Sequence, residues 1–318
     1  MNFLSDNNPV PDGYIWQDIG NYYGAGTYLL NWRENQFDLQ LRSFQNSNPL
    51  VISDKPKQSD LLIYNFLKTG EKGTGDNAYI YSSPMSNEMY VRGTIPPNEN
   101  NFIISGSMTN PSKTMAESLN SFLIDRRFSI KNIVTERKEK PEYDINYSET
   151  GFFKYDTVYS HYSPSLDSIN YWFLKKSVNL YGEALVKTIS KEKRNIFSTD
   201  SGIAIIKNFW KQKGIEPSAL NIIDGSGLSP ANRITTNALV TVMQYAKQQK
   251  WFASFYNALP EMNGIKMKDG YINGVRSYTG YIKSKTGNEY TFSFIVNNFD
   301  GSPATVREKM WKVLDILK

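Results

Sequence analysis

The sequence holds no cysteine and a single histidine, His161. The first absence excludes a disulfide framework, a Cys-ligated zinc site and a thiol nucleophile. The second excludes a multi-histidine metal centre and leaves a Ser-His-Asp triad only if His161 supplies the base. His161 stands alone in Ser160-His161-Tyr162-Ser163-Pro164, a setting that suits an exposed or structural imidazole. Long apolar runs are missing as well: no stretch approaches the roughly 18 apolar residues of a spanning helix, so no transmembrane segment is expected. The opening Met1-Asn2-Phe3-Leu4-Ser5-Asp6 lacks the basic stretch and apolar run of an export signal. The chain is therefore expected either to be cytoplasmic or to begin partway through an exported protein. A strong excess of one charge is also absent. Lys plus Arg is 36 and Asp plus Glu 31, giving a net charge of +5 and a pI near 9.0. That is a soluble, mildly basic surface without the density of a nucleic-acid-binding arm, and no nucleic-acid partner is expected.

What is present is globular. Hydrophobic residues make up 40% and aromatics 14% of 318 residues, a length that suits two domains at roughly 100–200 residues each. The first half reads as β-rich. Gln36 to Leu41 alternates apolar and polar with period two. Leu61–Tyr64, Ala78–Tyr81, Met89–Arg92 and Phe102–Ile104 are further short strands between Gly, Pro and Asn. Asn110 and Pro111 open a helix with Met115, Leu119, Phe122 and Leu123 on one apolar stripe. Glu136 to Glu149 is charged and irregular, and a domain boundary is placed near residue 155.

The second half changes period. Helices are predicted over 165–174 and 180–189, around 175–179. A further helix carries Ile203, Ile206 and Trp210 and stops at Gly214, and another runs over 236–247. A three-stranded meander follows at roughly 265–271, 275–283 and 289–297. The last helix starts near Ala304, with Val306, Met310, Val313, Leu314 and Leu317 on one stripe. Helices, meander and packing helix give an α/β (α+β) architecture with an antiparallel sheet and flanking helices.

Four short segments could carry chemistry. Ser177-Val178-Asn179 stands between two helices, where a hydroxyl can relay a proton and an amide can hold a substrate carbonyl; an ordinary interhelical turn has the same composition. Asp224-Gly225-Ser226-Gly227-Leu228-Ser229 has Asp224 and Leu228 where a hydrolase elbow needs glycines, so a tight turn is the simpler reading. Lys285-Thr286-Gly287 separates two strand runs and reads as a hairpin turn. Lys268-Asp269-Gly270 lies in the first meander strand, where glycine lets a ligand approach the backbone; a charged turn at a strand end is the alternative.

Together these pieces resemble the class C low-molecular-mass penicillin-binding proteins, the D-alanyl-D-alanine carboxypeptidase/endopeptidases. The resemblance runs through Trp16-Gln17-Asp18-Ile19-Gly20-Asn21-Tyr22-Tyr23-Gly24-Ala25-Gly26 and Asn31-Trp32-Arg33-Glu34-Asn35. It continues through Ser163-Pro164-Ser165-Leu166, Lys176-Ser177-Val178-Asn179-Leu180, Glu183-Ala184-Leu185 and Asp224 to Ser229. In that family Lys-Thr/Ser-Gly is followed by Gly-Val, Gly-Tyr, a polar turn and a Phe-containing strand. Gly274-Val275, Gly280-Tyr281, Thr286-Gly287 and Phe292-Ser293-Phe294 fill those places, which puts the family's lysine motif on Lys268-Asp269-Gly270.

The resemblance implies a β-lactamase/transpeptidase-like domain over 156–318 and β-rich inserted-domain material over 1–155. It implies acyl transfer from a D-Ala-D-Ala stem peptide of peptidoglycan, without a cofactor or metal, in the periplasm or cell envelope. Ser177 would relay a proton, Asn179 would hold the substrate amide, and Lys268 would place positive charge beside Ser177 and near the substrate's terminal carboxylate. Asp269 and Gly270 would bind substrate, with a backbone N–H after Gly270 in the oxyanion hole. Two departures stand out. Asp269 replaces the hydroxyl residue, and its carboxylate would repel the substrate carboxylate unless paired with Lys268 or protonated. The nucleophile of a Ser-x-x-Lys motif is also not found in its place: only Ser190-Lys191-Glu192-Lys193 has the spacing, at a charged helix end downstream of Ser177. The expectation is a C-terminal portion of such an enzyme, inactive by itself and binding β-lactams only when the nucleophile segment is present. A non-catalytic wall-binding or scaffolding protein is the alternative. A β-lactamase fits less well, because those are usually single compact units without the β-rich half.

Overall fold

A computed structural model of the chain describes residues 8–84, 86–130 and 159–318. The expected boundary near residue 155 and the charged stretch 136–149 lie outside the described residues. A short helix α1 (Trp16–Ile19) and a tight turn at Arg33–Asn35 precede the strands β1 (Gln36–Arg42), β2 (Leu50–Lys55), β3 (Leu62–Thr69), β4 (Asn77–Ser82), β5 (Glu88–Ile95) and β6 (Phe102–Ser107). They form two three-stranded sheets. One has the order β2-β1-β6 and is antiparallel; the other has the order β3-β5-β4, with β3 parallel and β4 antiparallel to β5. Phe37, Leu39 and Leu41 alternate inward from β1 and meet Leu67, Ile80, Met89 and Val91 of the second sheet in one core. Each such side chain is worth about 1.5–3 kcal/mol on burial, which fixes the register of the alternation.

Five of these six strands coincide with the expected segments, β1 through its alternation and the other four as short runs between Gly, Pro and Asn. β2 does not, because its apolar Leu50 and Ile52 are exposed and its one buried residue is Asp54. Helix α2 (Pro111–Ile124) starts as expected, with the Asn110 side chain accepting from the Lys113 N–H at 2.9 Å. Its expected apolar stripe is corrected: Leu119 and Phe122 are half exposed, and the helix buries only Pro111 and Thr114.

The second half contains α3 (Leu166–Lys176), α4 (Asn179–Arg194), α5 (Thr199–Gln212), β7 (Leu220–Asn221), β8 (Arg233–Ile234), α6 (Thr236–Lys247), α7 (Phe252–Ala258), β9 (Glu261–Met262), β10 (Ile265–Ile272), β11 (Val275–Lys283), β12 (Glu289–Asn297) and α8 (Pro303–Asp315). The sheet is antiparallel in the order β12-β11-β10-β9. Its two faces are covered differently. Met267, Tyr278 and Ile282 pack on Val306, Met310 and Leu314 of α8. From the opposite face Tyr281 reaches α6, its hydroxyl donating to the Met243 carbonyl at 2.7 Å, and its ring packs edge-on against Phe252 of α7. Val313 does not belong to the α8 stripe; it is half exposed, because the buried positions recur strictly every four residues at 306, 310 and 314. Among the described residues, no helix is long and apolar enough to cross a membrane.

Candidate active site

Helices α3 and α4 are separated by only Ser177 and Val178, a tighter connection than the five-residue break expected. The Ser165 side chain caps the start of α3, accepting from the Ser168 N–H at 3.3 Å, and Lys175 and Lys176 occupy its last turn, where positive charge suits the helix dipole. Ser177 ends the helix in the left-handed region at φ 54°, ψ 45°, a conformation costing a non-glycine residue about 1–2 kcal/mol. This strained cap lets α4 begin at once and keeps Ser177 and Asn179 on the same turn. Asn179 is tied to the first segment of the chain: its amide donates to the Tyr23 carbonyl at 2.8 Å.

Ser177 and Asn179 line a cleft of about 300 Å³ whose other walls include Tyr22, Tyr23, Glu34 and Lys176. Glu34 sits in a run of three left-handed residues, Arg33, Glu34 and Asn35, all near φ 53°. Wholly buried Asn35 stabilises that run by donating to the Gly26 carbonyl at 2.8 Å and accepting from the Trp32 N–H at 2.9 Å. Glu34 accepts from the Tyr181 hydroxyl at 2.9 Å. Burial, and then the hydrogen bond to Glu34, push the Tyr181 phenol up to about 12. The cleft thus holds a hydroxyl, an amide, a carboxylate and a lysine among aromatic rings, groups able to relay protons and hold a peptide.

One turn after Asn179, the wholly buried Glu183 organises the glycine-rich loop. Its carboxylate accepts from the Gly225 N–H at 3.1 Å, the Ser226 N–H at 2.9 Å and the Tyr14 hydroxyl at 3.0 Å. Burial, and then the nearby Asp224 carboxylate, raise its pKa. Asp224 in turn accepts from the N–H groups of Gly227 and Ser229 and from the Asn232 amide. The Asp224–Ser229 segment is therefore a turn stabilised by two carboxylates, not a nucleophile elbow. Lys187, on the same buried face of α4, donates to the carbonyls of Asn8 and Thr27 at 2.9 and 3.2 Å, so residues 8–35 are laid along this helix. Glu34 and Glu183 stand in segments that carry the resemblance, but nothing in the sequence assigns either a role, and nothing singles out Tyr14. The one local signal was a charged residue at 183 and another at 187, both on the inward face of an amphipathic helix.

Lys268, Asp269 and Gly270 lie on β10, in register with Thr279, Tyr278 and Ser277, and outside the lining of the Ser177–Asn179 cleft. β9 pairs only with Ile265 and Lys266, so beyond them the outer edge of β10 has no strand partner among the described residues. Such an edge can accept an extended peptide as an added strand. The Lys268 ammonium lies 3.1 Å from Asp269 Oδ1 and donates to the Asp269 carbonyl at 2.7 Å; Arg276 approaches the second carboxylate oxygen at 3.9 Å. Asp269 is thus paired. A Cβ at Gly270 would stand 2.7 Å from Ser277 Oγ, so glycine keeps this rung close. Lys285-Thr286-Gly287 forms the hairpin turn between β11 and β12, with Gly287 at φ 88° and its N–H bonded to the Ser284 carbonyl at 2.9 Å. His161 is exposed. Ser190 is corrected in one respect. It is not at the surface of a charged helix end but wholly buried, because 183, 186, 187 and 190 share the inward face of α4, and its hydroxyl has no hydrogen-bond partner among the described residues. A serine sealed in this way cannot meet a substrate. Among the described residues no group of three or more carboxylates or imidazoles could hold a metal ion.

The model of the D-Ala-D-Ala carboxypeptidase 3 (S13) family matches residues 4–262. The chain is 29% identical over 170 residues to the D-alanyl-D-alanine carboxypeptidase of Actinomadura sp. (strain R39), covering 47% of this chain and 31% of that protein. It is 18% identical over 309 residues to the D-alanyl-D-alanine carboxypeptidase DacB of Haemophilus influenzae, covering 90% of this chain and 62% of that one. It thus spans between about a third and three fifths of the length of these curated relatives. The crystal structure of penicillin binding protein 4 (dacB) from Haemophilus influenzae superposes with a TM-score of 0.73 at 15% identity, over 95% of this chain and 72% of that one. That likeness carries the fold, a β-lactamase/transpeptidase-like architecture of mixed α and β structure.

Proposed function

The chain belongs to the D-Ala-D-Ala carboxypeptidase 3 (S13) family, and on that premise we propose that it forms part of a serine-type D-alanyl-D-alanine carboxypeptidase/endopeptidase of the cell envelope. Its substrate is the D-Ala-D-Ala end of the peptidoglycan stem peptide. The observation that carries this reading is the cleft in which the strained Ser177 and the anchored Asn179 open on one side of α4. In the proposed reaction a serine outside this set attacks the D-Ala-D-Ala carbonyl, D-alanine leaves, and water hydrolyses the ester. Ser177 relays a proton to the departing amine, and Asn179 holds the acyl-side amide. Lys268 supplies positive charge, and β10 offers its open edge at Gly270 to the substrate backbone. The division into 1–155 and 156–318 belongs to the same proposal, with residues 8–35 of the first part reaching across onto α4.

No serine of this sequence has both the Ser-x-x-Lys spacing and access to a substrate: Ser190 alone has the spacing, and it is buried. On this reading the isolated chain is inactive. Fluorescent penicillin and a stem pentapeptide test this together. The expected outcome is no covalent label and no D-alanine release, with saturable pentapeptide binding that Asn179→Ala weakens about tenfold through a lost polar contact. A covalent penicillin adduct overturns the missing nucleophile; absence of pentapeptide binding overturns the substrate class.

A second reading, a non-catalytic wall-binding protein derived from this family, is favoured by one observation: the Lys268 ammonium is already engaged by Asp269. The coding sequence ahead of codon 1 separates the two. An in-frame Ser-x-x-Lys there supports the enzyme, and a start without one supports the binding protein.

A further inference from the structure

The solvent face of the β3-β5-β4 sheet is aromatic. Ile63 and Leu67 of β3 turn into the core, and Leu62, Tyr64 and Phe66 turn outward. Across the register Tyr64 stands beside Tyr90 and Tyr90 beside Tyr81, while Phe66 stands beside Arg92 and Arg92 beside Tyr79. Tyr64 and Phe66 are 42% and 57% exposed, which is open enough to meet a ligand. Tyr64 and Tyr90 have ring centroids 5.0 Å apart with planes 15° from parallel; Phe66 and Tyr90 are 6.4 Å apart and 11° from parallel. Three rings therefore share almost one orientation.

The belt continues towards the cleft. Trp16 packs on Tyr81 at 4.8 Å, and the Arg92 guanidinium lies 5.6 Å from the Tyr81 ring centre. Between Tyr79 and Tyr81, the Ile80 N–H donates to the Asn21 side-chain oxygen at 3.0 Å and the Asn21 amide donates back to the Ile80 carbonyl at 3.3 Å; Tyr22 and Tyr23, which follow Asn21, pack edge-on at 5.4 Å and line the Ser177–Asn179 cleft. Single exposed aromatics need no explanation, but a contiguous belt ending at a proposed active site does.

We propose that this face binds the glycan strand of peptidoglycan and so presents the stem peptide to the cleft while it is still attached to its polymer. The inference rests on the function proposed above. Sugar rings carry apolar C–H faces edged by hydroxyls, and tyrosine offers the complementary pair, an aromatic body with a polar tip. Arg92 in the middle of the face and Lys68 at its end match the carboxylates that stem peptides carry beside the glycan. A nucleic acid would need a longer track of cations than these two, and Glu88 at the opposite end opposes it.

The test uses the whole chain and purified glycan strands stripped of their stem peptides. The wild type is expected to co-sediment with them, and soluble β-1,4-linked N-acetylglucosamine oligomers are expected to compete. The double variant Tyr64→Ser/Phe66→Ser is expected to weaken binding at least about tenfold, two rings' worth of contact. It should still unfold cooperatively, with a melting temperature only a few degrees below that of the wild type, since both rings lie outside the core and what is lost is a cross-strand aromatic contact. Phe66→Ser alone, the more exposed position, serves as the second variant, and Phe128→Ser, exposed elsewhere, as the unchanged control. The proposal is overturned if the wild type ignores stripped strands, if it binds only strands that keep their peptides, or if the variants bind as well as the wild type. It is also overturned if sedimentation velocity shows a wild-type dimer that the variants abolish, which would assign the face to a second copy. None of these readouts uses D-alanine release or pentapeptide binding, so the proposed peptidase function can fail without it.

Discussion

The hydroxyl of Tyr14 donates to the Glu183 carboxylate at 3.0 Å, joining residues 169 positions apart. Through this bond and the two N–H groups of the glycine-rich loop, one buried side chain ties the first segment of the chain, helix α4 and the Asp224–Ser229 turn into a single frame behind the cleft. Its charge is disfavoured there, since burial raises its pKa above the ordinary 4.5. A carboxyl whose folded pKa is raised binds its proton more tightly in the fold than in the open chain. It therefore takes stability away as pH rises from about the unfolded value through the folded one. Glu183→Gln keeps a carbonyl acceptor and removes the titration. Thermal melts from pH 4 upwards should show the wild type losing ground to the variant progressively; a constant difference across that range would contradict the assignment.

Gly182 touches the same loop. A Cβ there would lie 2.5 Å from the Gly225 carbonyl oxygen. Glycine to alanine inside a helix ordinarily adds about 0.5–1 kcal/mol of stability, but here the clash with backbone outweighs it. Gly182→Ala is expected to lower stability by at least about 1 kcal/mol. Denaturant midpoints measure this, and a stabilised variant would show that α4 and the loop are free to separate.

Ser177 holds a left-handed backbone, so its replacements should divide by backbone tolerance rather than by size. Ser177→Gly should leave the melting temperature unchanged or slightly higher, whereas Ser177→Val should cost about 1–2 kcal/mol more, because a β-branched residue resists positive φ. If both unfold at the same temperature, the turn does not depend on that conformation.

The Lys268–Asp269 pair is partly open to solvent and contributes little to stability, on the order of 1 kcal/mol or less. Its effect is expected in ligand binding. Asp269→Asn removes a negative charge beside Lys268, so affinity for the carboxylate-ended stem pentapeptide should rise several-fold at low salt and less at high salt. Calorimetry at two ionic strengths measures this. Equal affinities would mean that the edge of β10 does not receive the carboxylate end.

Much of the frame was readable along the chain. The alternation of Gln36 to Leu41, the Asn110-Pro111 start of α2 and the strands at 275–283 and 289–297 all follow from local periodicity and capping. The reading of Lys285-Thr286-Gly287 as a hairpin turn follows equally from its position between two strand runs. Failures came where burial is decided by distant neighbours. β2 has weak alternation because its partners supply its burial, and the outward faces of α2 and of Val313 look no different from inward ones. Ser190 sits amid charges in sequence yet faces the core. The sequence by itself determined the elements, the family and the chemistry available, since those depend on neighbours within a few residues. Only the tertiary structure decided that Glu183 clasps Tyr14 and two loop N–H groups, that Asp269 is paired, and that Glu34 shares a cleft with Ser177. The Tyr14–Glu183 and Glu34–Ser177 relations join segments more than a hundred residues apart, and the clasped loop lies some forty residues from Glu183; even the pairing of the neighbours Lys268 and Asp269 depends on side-chain directions and on Arg276 across the sheet, which no local pattern encodes.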